Sequence, residues 1–279
     1  MYSFTYTRAK SLAEARDMLA KDADAKLLSG GMTLIPTLKQ RLASPSQLID
    51  ISQIAELRGI TVKGDRLEIG AAMQHAEVSR SVEVKKMIPA LAYLASQIGD
   101  PQVRNRGTIG GSVANNDPVA DYPGAVLALG ATVKTSQREI AADDIFKGMF
   151  ETALKDGEII VGFSFPVPKR AAYAKFPHPV SGYSMTGSFV AETGGNAETG
   201  GNAESGGGVR VAITGAGPGV FRWKEAEDAL SKNFSVAALK GLSMPAKGLS
   251  NDLHATAEYR ANLVEVMTRR AVASLTGEK

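Results

Sequence analysis

Cysteine is absent from the 279 residues. That one absence excludes disulfides, thiolate zinc sites, iron–sulfur ligation and a cysteine nucleophile, and it accords with a reducing compartment. Histidine is scarce. His75, His178 and His254 stand far apart in the chain, with no metal-ligand spacing and no Ser–His–Asp arrangement, so each reads as a surface or packing residue. No apolar run approaches the roughly 20 residues needed to cross a bilayer. The opening MYSFTYTRAK lacks the continuous apolar stretch of a secretory leader, and a cytoplasmic, soluble protein is expected. An excess of charge is also missing: 32 Lys and Arg stand against 29 Asp and Glu, a net +3. The short basic runs VKKM and MTRRA lie in helical-looking segments and read as solvated faces, so no nucleic-acid partner is expected. With no evident nucleophile or general base, an enzymatic role would rest on a bound cofactor.

What remains is an ordinary globular composition, 44% hydrophobic and 22% charged, long enough for one large or two moderate domains. The first fifty residues alternate strand, helix, strand, helix, strand. SFTYT has the two-residue alternation of a strand. Ser11 and Glu14 have capping-box spacing ahead of a helix whose Leu12, Ala15 and Leu19 share a face. AKLLSGG and SQLIDIS read as strands around MTLIPTLKQRLA, a helix with an early Pro36. Farther on, GITVKGDRLEIGAAM is a hairpin turning at Gly64-Asp65. HAEVSRSVEVKKMIPALAYLASQIG is helical with a break at Pro89, while residues 105–123 read as a long turn-rich loop. AVLALGATVKTS, REIAADDIF and GEIIVGFSFPVP read as strands and turns. A border is expected near Pro168–Ala171. The domain expectation is therefore 1–170, with subdomains of about 1–55 and 56–170, followed by a small α+β domain over 171–279. Within the latter, residues 192–208 repeat a Gly-rich hexapeptide that can bury nothing, and a flexible hairpin loop is expected there.

Glycine is abundant, with 29 residues, and two of its placements matter. LLSGGMTLIP sets a glycine pair between a strand and a helix, where several backbone N–H groups can converge on an anion with no Cβ in the way. Ser29 and Thr33 add hydroxyls. TIGGSVANN repeats this grammar about eighty residues later as Gly110, Gly111 and Ser112. Two such segments fit a ligand with adjacent phosphates, each donating N–H groups to one side. Asp117, Asp121 and Asn115/Asn116 could hold ribose or ribityl hydroxyls, although Asn-Asn-Asp-Pro is also a turn in its own right. VRVAITGAGPGVFRW looks like a dinucleotide fingerprint, but Gly219 stands where position 220 is required. It reads as a turn between a strand and the helix WKEAEDAL.

Taken in order, LLSGGMTLIP, IGAAMQHAEV, GDPQVRNRGTIGGSVANNDPVADYP and GEIIVGF resemble the FAD-binding medium subunit of the molybdenum hydroxylases. That family includes xanthine dehydrogenase and carbon monoxide dehydrogenase, and the likeness to the medium subunit of the latter is nearest. The resemblance spans nearly the whole chain. It implies an α+β fold: a two-subdomain FAD-binding domain of the PCMH/vanillyl-alcohol-oxidase type, then a small domain of antiparallel sheet with helices. It implies that Ser29, Gly30, Gly31, Met32, Thr33, Leu34 and Ile35 hold the pyrophosphate of FAD, together with Thr108, Gly110, Gly111 and Ser112. It places Asp121 near ribityl or ribose hydroxyls. Ile98 and Ile160 or Val161 would pack on the cofactor, and Lys175 would lie near the flavin. Family members often carry an arginine four residues after that lysine and an aspartate before the following tyrosine. Here those positions are Pro179 and Gly182, with Tyr183 retained. The implied partners are a large molybdenum–pterin subunit and a small subunit with [2Fe–2S] clusters, in a dimer of heterotrimers. Electrons would pass from those clusters through FAD to an external acceptor. A stand-alone FAD-dependent reductase of the same fold superfamily is the alternative.

Overall fold

The computed structural model describes residues 1–194 and 208–278. The Gly-rich repeat therefore falls largely outside the described residues. At its base Thr193 donates its N–H to the Gly208 carbonyl at 3.0 Å.

The chain opens with β1 (Thr5–Arg8), α1 (Leu12–Lys21), β2 (Lys26–Leu28), α2 (Leu34–Lys39) and β3 (Gln47–Asp50). The three strands run parallel in the order β1-β3-β2. Their carboxyl ends, Arg8, Leu28 and Asp50, therefore share one edge of the sheet. At the start of α1 the Ser11 hydroxyl accepts the Glu14 N–H (3.2 Å), but the Glu14 carboxylate reaches back to Lys10 N–H (2.6 Å) instead of to Ser11. Ala15 is fully buried in a small core with Ile49, Ile54, Leu57 and Ala72, flanked by Leu12 and Leu19.

The middle of the molecule is an antiparallel sheet. β4 (Ile60–Lys63) and β5 (Arg66–Gly70) form the expected hairpin. Next come α3 (His75–Arg80), α4 (Val82–Met87) and α5 (Pro89–Ser96), three short helices where the sequence suggested one broken helix. Ser81 caps α4 and Pro89 opens α5, where its missing N–H costs nothing. They are followed by α6 (Pro101–Arg104), α7 (Ile109–Asn115), α8 (Tyr122–Ala128), β6 (Thr132–Thr135), β7 (Glu139–Ala141), α9 (Ala142–Ile145), β8 (Phe146–Gly148), β9 (Glu151–Thr152) and β10 (Ile160–Pro166). The sheet order is β4-β5-β10-β6-β7.

Two sequence expectations fail in this part. Residues 105–123 are not one long loop, because they contain all of α7 and the start of α8. The apolar run read as strand and turn begins instead with α8, every residue of which is buried. A helix surrounded on all sides has no polar face, so its sequence carries no 3.6-residue period to read.

Val167, Pro168 and Lys169 link β10 to β11 (Arg170–Pro177), which pairs with β12 (Ser184–Glu192), β13 (Val209–Thr214) and the short β14 (Phe221–Arg222) in an antiparallel sheet. α10 (Lys224–Lys232) and α11 (Ala257–Thr276) cover it. Because side chains alternate across a strand, this sheet feeds two cores. Phe189, Ala191 and Ala212 join Tyr122, Phe163 and Phe165 in the large central core. Val190, Val211 and Ile213 pack with Trp223, Leu230, Val264 and Val272 on the other side. β12 is accordingly buried along nearly its whole length. The overall architecture is mixed helix and sheet.

Candidate functional site

Parallel strands end at their carboxyl edge in open backbone, and ligands commonly bind there. The edge formed by Arg8, Leu28 and Asp50 borders a cavity of about 380 Å³, a usual size for small-molecule sites. Tyr6, Arg8 and Asp50 line one side, and Leu28 to Met32 with Ile35 another. Arg58, Gln74, Arg106 and Thr108 close it from the middle of the chain.

The two glycine segments meet here. A Cβ on Gly30 would overlap the carbonyl of Arg106 and the Cα of Gly107, so only glycine allows this approach. Ser29 Oγ and Thr108 Oγ1 are hydrogen-bonded at 3.0 Å. Gly31 takes the left-handed conformation, φ +73°, which turns the chain from β2 into α2. Among the described residues, no backbone acceptor takes the N–H groups of Gly30, Gly31, Met32 or Thr33. Consecutive free donors on a tight turn form an anion cradle.

The second segment is built differently from the first. Thr108 caps α7, its hydroxyl accepting the Gly111 N–H at 3.1 Å. Ile109 N–H goes to the Met73 carbonyl (3.1 Å) and Gly110 N–H to the Ala71 carbonyl (2.9 Å). Donors that the repeated glycine pattern suggested were open are thus spent on fixing α7 to the turn that follows β5. Gly111 is exposed, and a Cβ there would meet only the Thr108 hydroxyl at 3.0 Å. What this segment brings to the cavity is the Thr108 side chain and the Arg106–Gly107 backbone.

Charge at the cavity is mostly committed. Asp50 is buried and accepts from the Tyr6 hydroxyl (2.5 Å), Arg8 Nε (3.2 Å) and the Ser52 N–H (2.9 Å). Burial pushes its carboxyl upward, but Tyr6, Ser52 and Arg8 outweigh that and hold it below the ordinary value. Arg58 is engaged by Glu77 and by the Ala72 carbonyl. Arg106 lines the cavity while remaining exposed, which leaves a guanidinium available for an anion. Sequence reasoning passed over Tyr6, Arg8, Asp50, Arg58, Gln74 and Arg106. A signal existed for two of them: Asp50 ends a strand of an alternating strand–helix series, and Arg106 lies inside the motif block itself.

The remaining candidates lie elsewhere. Thr33 and Leu34 begin α2, and Ser112 sits in the first turn of α7. Asp117 shapes its own turn, its carboxylate accepting Val119 N–H at 3.1 Å. Ile98 and Ile160 pack in or against the central core, while Val161 faces the small N-terminal core. Asp121 and Lys175 are joined in a buried ion pair, Nζ to carboxylate 3.0 Å. The Tyr173 hydroxyl donates to the same carboxylate, and Lys175 also reaches the Gln97 carbonyl at 3.0 Å. Burial pushes the Asp121 carboxyl upward, against the pull of the Lys175 ammonium and the Tyr173 hydroxyl. His75 is buried as a packing residue. Burial, with the nearby charge of Arg104, lowers its pKa from 6.5 to about 4.

The chain as a whole has known counterparts. Residues 2–168 match the family model described as the FAD-binding domain in molybdopterin dehydrogenase. The carbon monoxide dehydrogenase medium chain of Afipia carboxidovorans is 36% identical over 280 residues, covering 97% of this chain and 96% of that one. The nicotine 6-hydroxylase medium subunit of Paenarthrobacter nicotinovorans is 33% identical over 276 residues, covering 96% and 95%. The solved carbon monoxide dehydrogenase from Hydrogenophaga pseudoflava superposes with a TM-score of 0.84 at 33% identity, covering 98% of this chain and 97% of that one. Sequence match, shared length and shared fold agree with the glycine cradle in one conclusion: the chain belongs to the FAD-binding family of the molybdopterin dehydrogenases.

Proposed function

We propose that this chain is the FAD-carrying electron-transfer subunit of a molybdenum-containing dehydrogenase. The observation that carries the reading is the cradle: three backbone N–H groups without backbone acceptors, those of Gly30, Gly31 and Met32, lining one cavity together with Arg106 and Thr108. The donor set suits a diphosphate. In this reading Ser29 to Ile35 hold the pyrophosphate, the Thr108 hydroxyl keeps Ser29 in place, and Arg106 closes over the charge. Gly110 seats α7 on Ala71, just past β5, while Gly111 and Ser112 lie in the first turn of α7 on the pyrophosphate side. Asp117, Asp121, Ile98, Ile160, Val161 and Lys175 would border the remainder of the cofactor. Bound FAD supplies the chemistry that exchanges electrons one or two at a time. The protein's own residues bind it, orient it and fix the charge around it.

The finer architecture belongs to the same proposal: a two-subdomain FAD domain of the PCMH type over 1–170 and an α+β domain over 171–279. So do the partners, a large molybdenum–pterin subunit and a small [2Fe–2S] subunit paired as a dimer of heterotrimers, and a cytoplasmic setting. The chain itself has no cysteine with which to ligate a cluster.

The test is reconstitution. The purified chain should take up one non-covalent FAD, visible by its absorbance and released on denaturation. Arg106→Ala should weaken FAD binding by about ten- to a hundredfold, the ~1.5–3 kcal/mol of a hydrogen bond to a charged group, with an unchanged circular dichroism spectrum. A well-folded chain that takes up no flavin overturns the assignment.

A further inference from the structure

Arg58 lines the cradle cavity, and its donors are only partly committed. The backbone around it is fixed. Its N–H donates to the Ala55 carbonyl at 3.1 Å, and the neighbouring Leu57 carbonyl accepts the Ala72 N–H at 2.8 Å. From there the side chain reaches the segment that follows β5. Nη1 donates to the Ala72 carbonyl at 3.3 Å, and Nη2 donates to Glu77 Oε1. A guanidinium carries five N–H donors in a planar fork. Among the described residues these two bonds are the ones its head group makes, so three donors remain.

Glu77 is engaged on both oxygens. Oε1 takes Arg58, and Oε2 accepts the Gln74 N–H at 2.8 Å. Ala72 and Gln74 line the same cavity as Arg58. Gln74 forms a β-bridge with Thr108, and beside it the His75 N–H donates to the Gly107 carbonyl at 3.0 Å. Thr108 in turn bonds Ser29 at 3.0 Å, one residue before the free N–H groups of the cradle. A continuous series of bonds therefore runs from Glu77 to the anion cradle, and the Arg58 head group is tied to it at Ala72 and at Glu77.

Stability does not account for this pair. The Arg58 and Glu77 side chains keep 31% and 34% exposure, and an ion pair that wet contributes little to folding. Two anchors on one guanidinium do achieve something else. They order a long side chain before any ligand arrives, which removes a cost that binding would otherwise meet.

We propose that Arg58 is a second cation of the anion site, beside Arg106, and that Glu77 is its positioning residue. The anion is the diphosphate of the flavin cofactor, so the inference rests on the FAD-carrying role proposed for the chain. The free N–H groups of Arg58 meet phosphate oxygens, which a guanidinium fork matches in pairs. Glu77 and the Ala72 carbonyl fix its orientation. Glu77 touches no ligand, and its own charge opposes an anion, so what it contributes passes through Arg58.

Equilibrium titration of the full chain with FAD, followed by flavin fluorescence, tests this on wild type, Glu77→Gln, Arg58→Met and the double variant. Glutamine has one side-chain acceptor atom where glutamate has two, so it cannot serve both Arg58 and the Gln74 N–H. Arg58→Met should weaken FAD binding about tenfold or more, the loss of a charged hydrogen bond. Glu77→Gln should weaken it about three- to tenfold in the wild-type background, although removing a negative charge would by itself favour an anion. In the Arg58→Met background the same change should cause no further loss. Thermal unfolding of the FAD-free proteins should show the fold retained in all four. Arg58→Lys keeps the charge without the fork and gives a second reading if Arg58→Met folds poorly, with a loss of about threefold or more expected. Unchanged or stronger binding in Glu77→Gln, or an equal loss in both backgrounds, overturns the positioning role. Unchanged binding in the Arg58 variants overturns the proposal outright, while a wild type that still binds FAD leaves the flavin assignment standing. A wild-type chain that takes up no FAD removes both.

Discussion

At the residue scale the sharpest consequences come from charges and imidazoles taken out of water. His75 is neutral when folded, with a pKa lowered to about 4 from 6.5. Between those values the unfolded chain takes a proton that the folded chain refuses, so stability falls as pH drops from 6.5 toward 4. At pH 5 the loss relative to pH 7 should be roughly 2 kcal/mol. Urea unfolding at the two pH values reads it directly, and His75→Gln should flatten the difference. The Asp121–Lys175 pair gives a second test. Lys175→Met leaves a carboxylate buried without its cation, and should destabilise the flavin-free chain by about 3–5 kcal/mol. Adding Asp121→Asn should recover much of that loss. An unchanged unfolding midpoint in the single variant would show that the pair carries no structural role. Neither the pairing nor the burial is legible in the sequence, since 54 positions separate the two residues. The glycine pair at 30 and 31 is legible, because Gly30 must approach another backbone and Gly31 takes a left-handed φ, and each condition admits little else.

At the scale of elements, α7 is the hinge between motif and cavity. Its Thr108 hydroxyl caps the helix and also holds Ser29. Thr108→Ala should therefore cost about 1 kcal/mol of stability, as a lost cap does, and should also weaken FAD binding. Thr108→Ser keeps the hydroxyl and should restore both, with thermal unfolding and flavin titration as the two readings. Gly111→Ala should leave the fold intact, since its Cβ meets only that hydroxyl. Elements with one wet face, such as α1, could be read from their periodicity. α8 could not, and α7 was concealed by turn-forming residues that tertiary contacts to Ala71 and Met73 hold in a helix.

At the scale of the whole molecule, one cofactor would join residues that begin in two separate units of the chain. Ligand binding to the folded state alone raises stability by mass action, about 2.7 kcal/mol at a hundredfold excess over Kd. FAD should accordingly raise the unfolding midpoint of the wild-type chain, and raise it less in Arg106→Ala. A midpoint indifferent to FAD would mean that the cavity does not grip it. The alternating strand–helix order of the first fifty residues, the two glycine pairs and the lack of cysteine were settled by the chain itself, because local propensity and chemistry need no neighbours. Tertiary structure alone decided which donors stay free. Folding spends the N–H groups of Ile109 and Gly110 on Met73 and Ala71, just past β5, while leaving those of Gly30 to Thr33 without backbone acceptors. Two stretches with the same local grammar thus end with different roles, because a hydrogen-bond donor can serve a ligand only where no other part of the chain has already taken it.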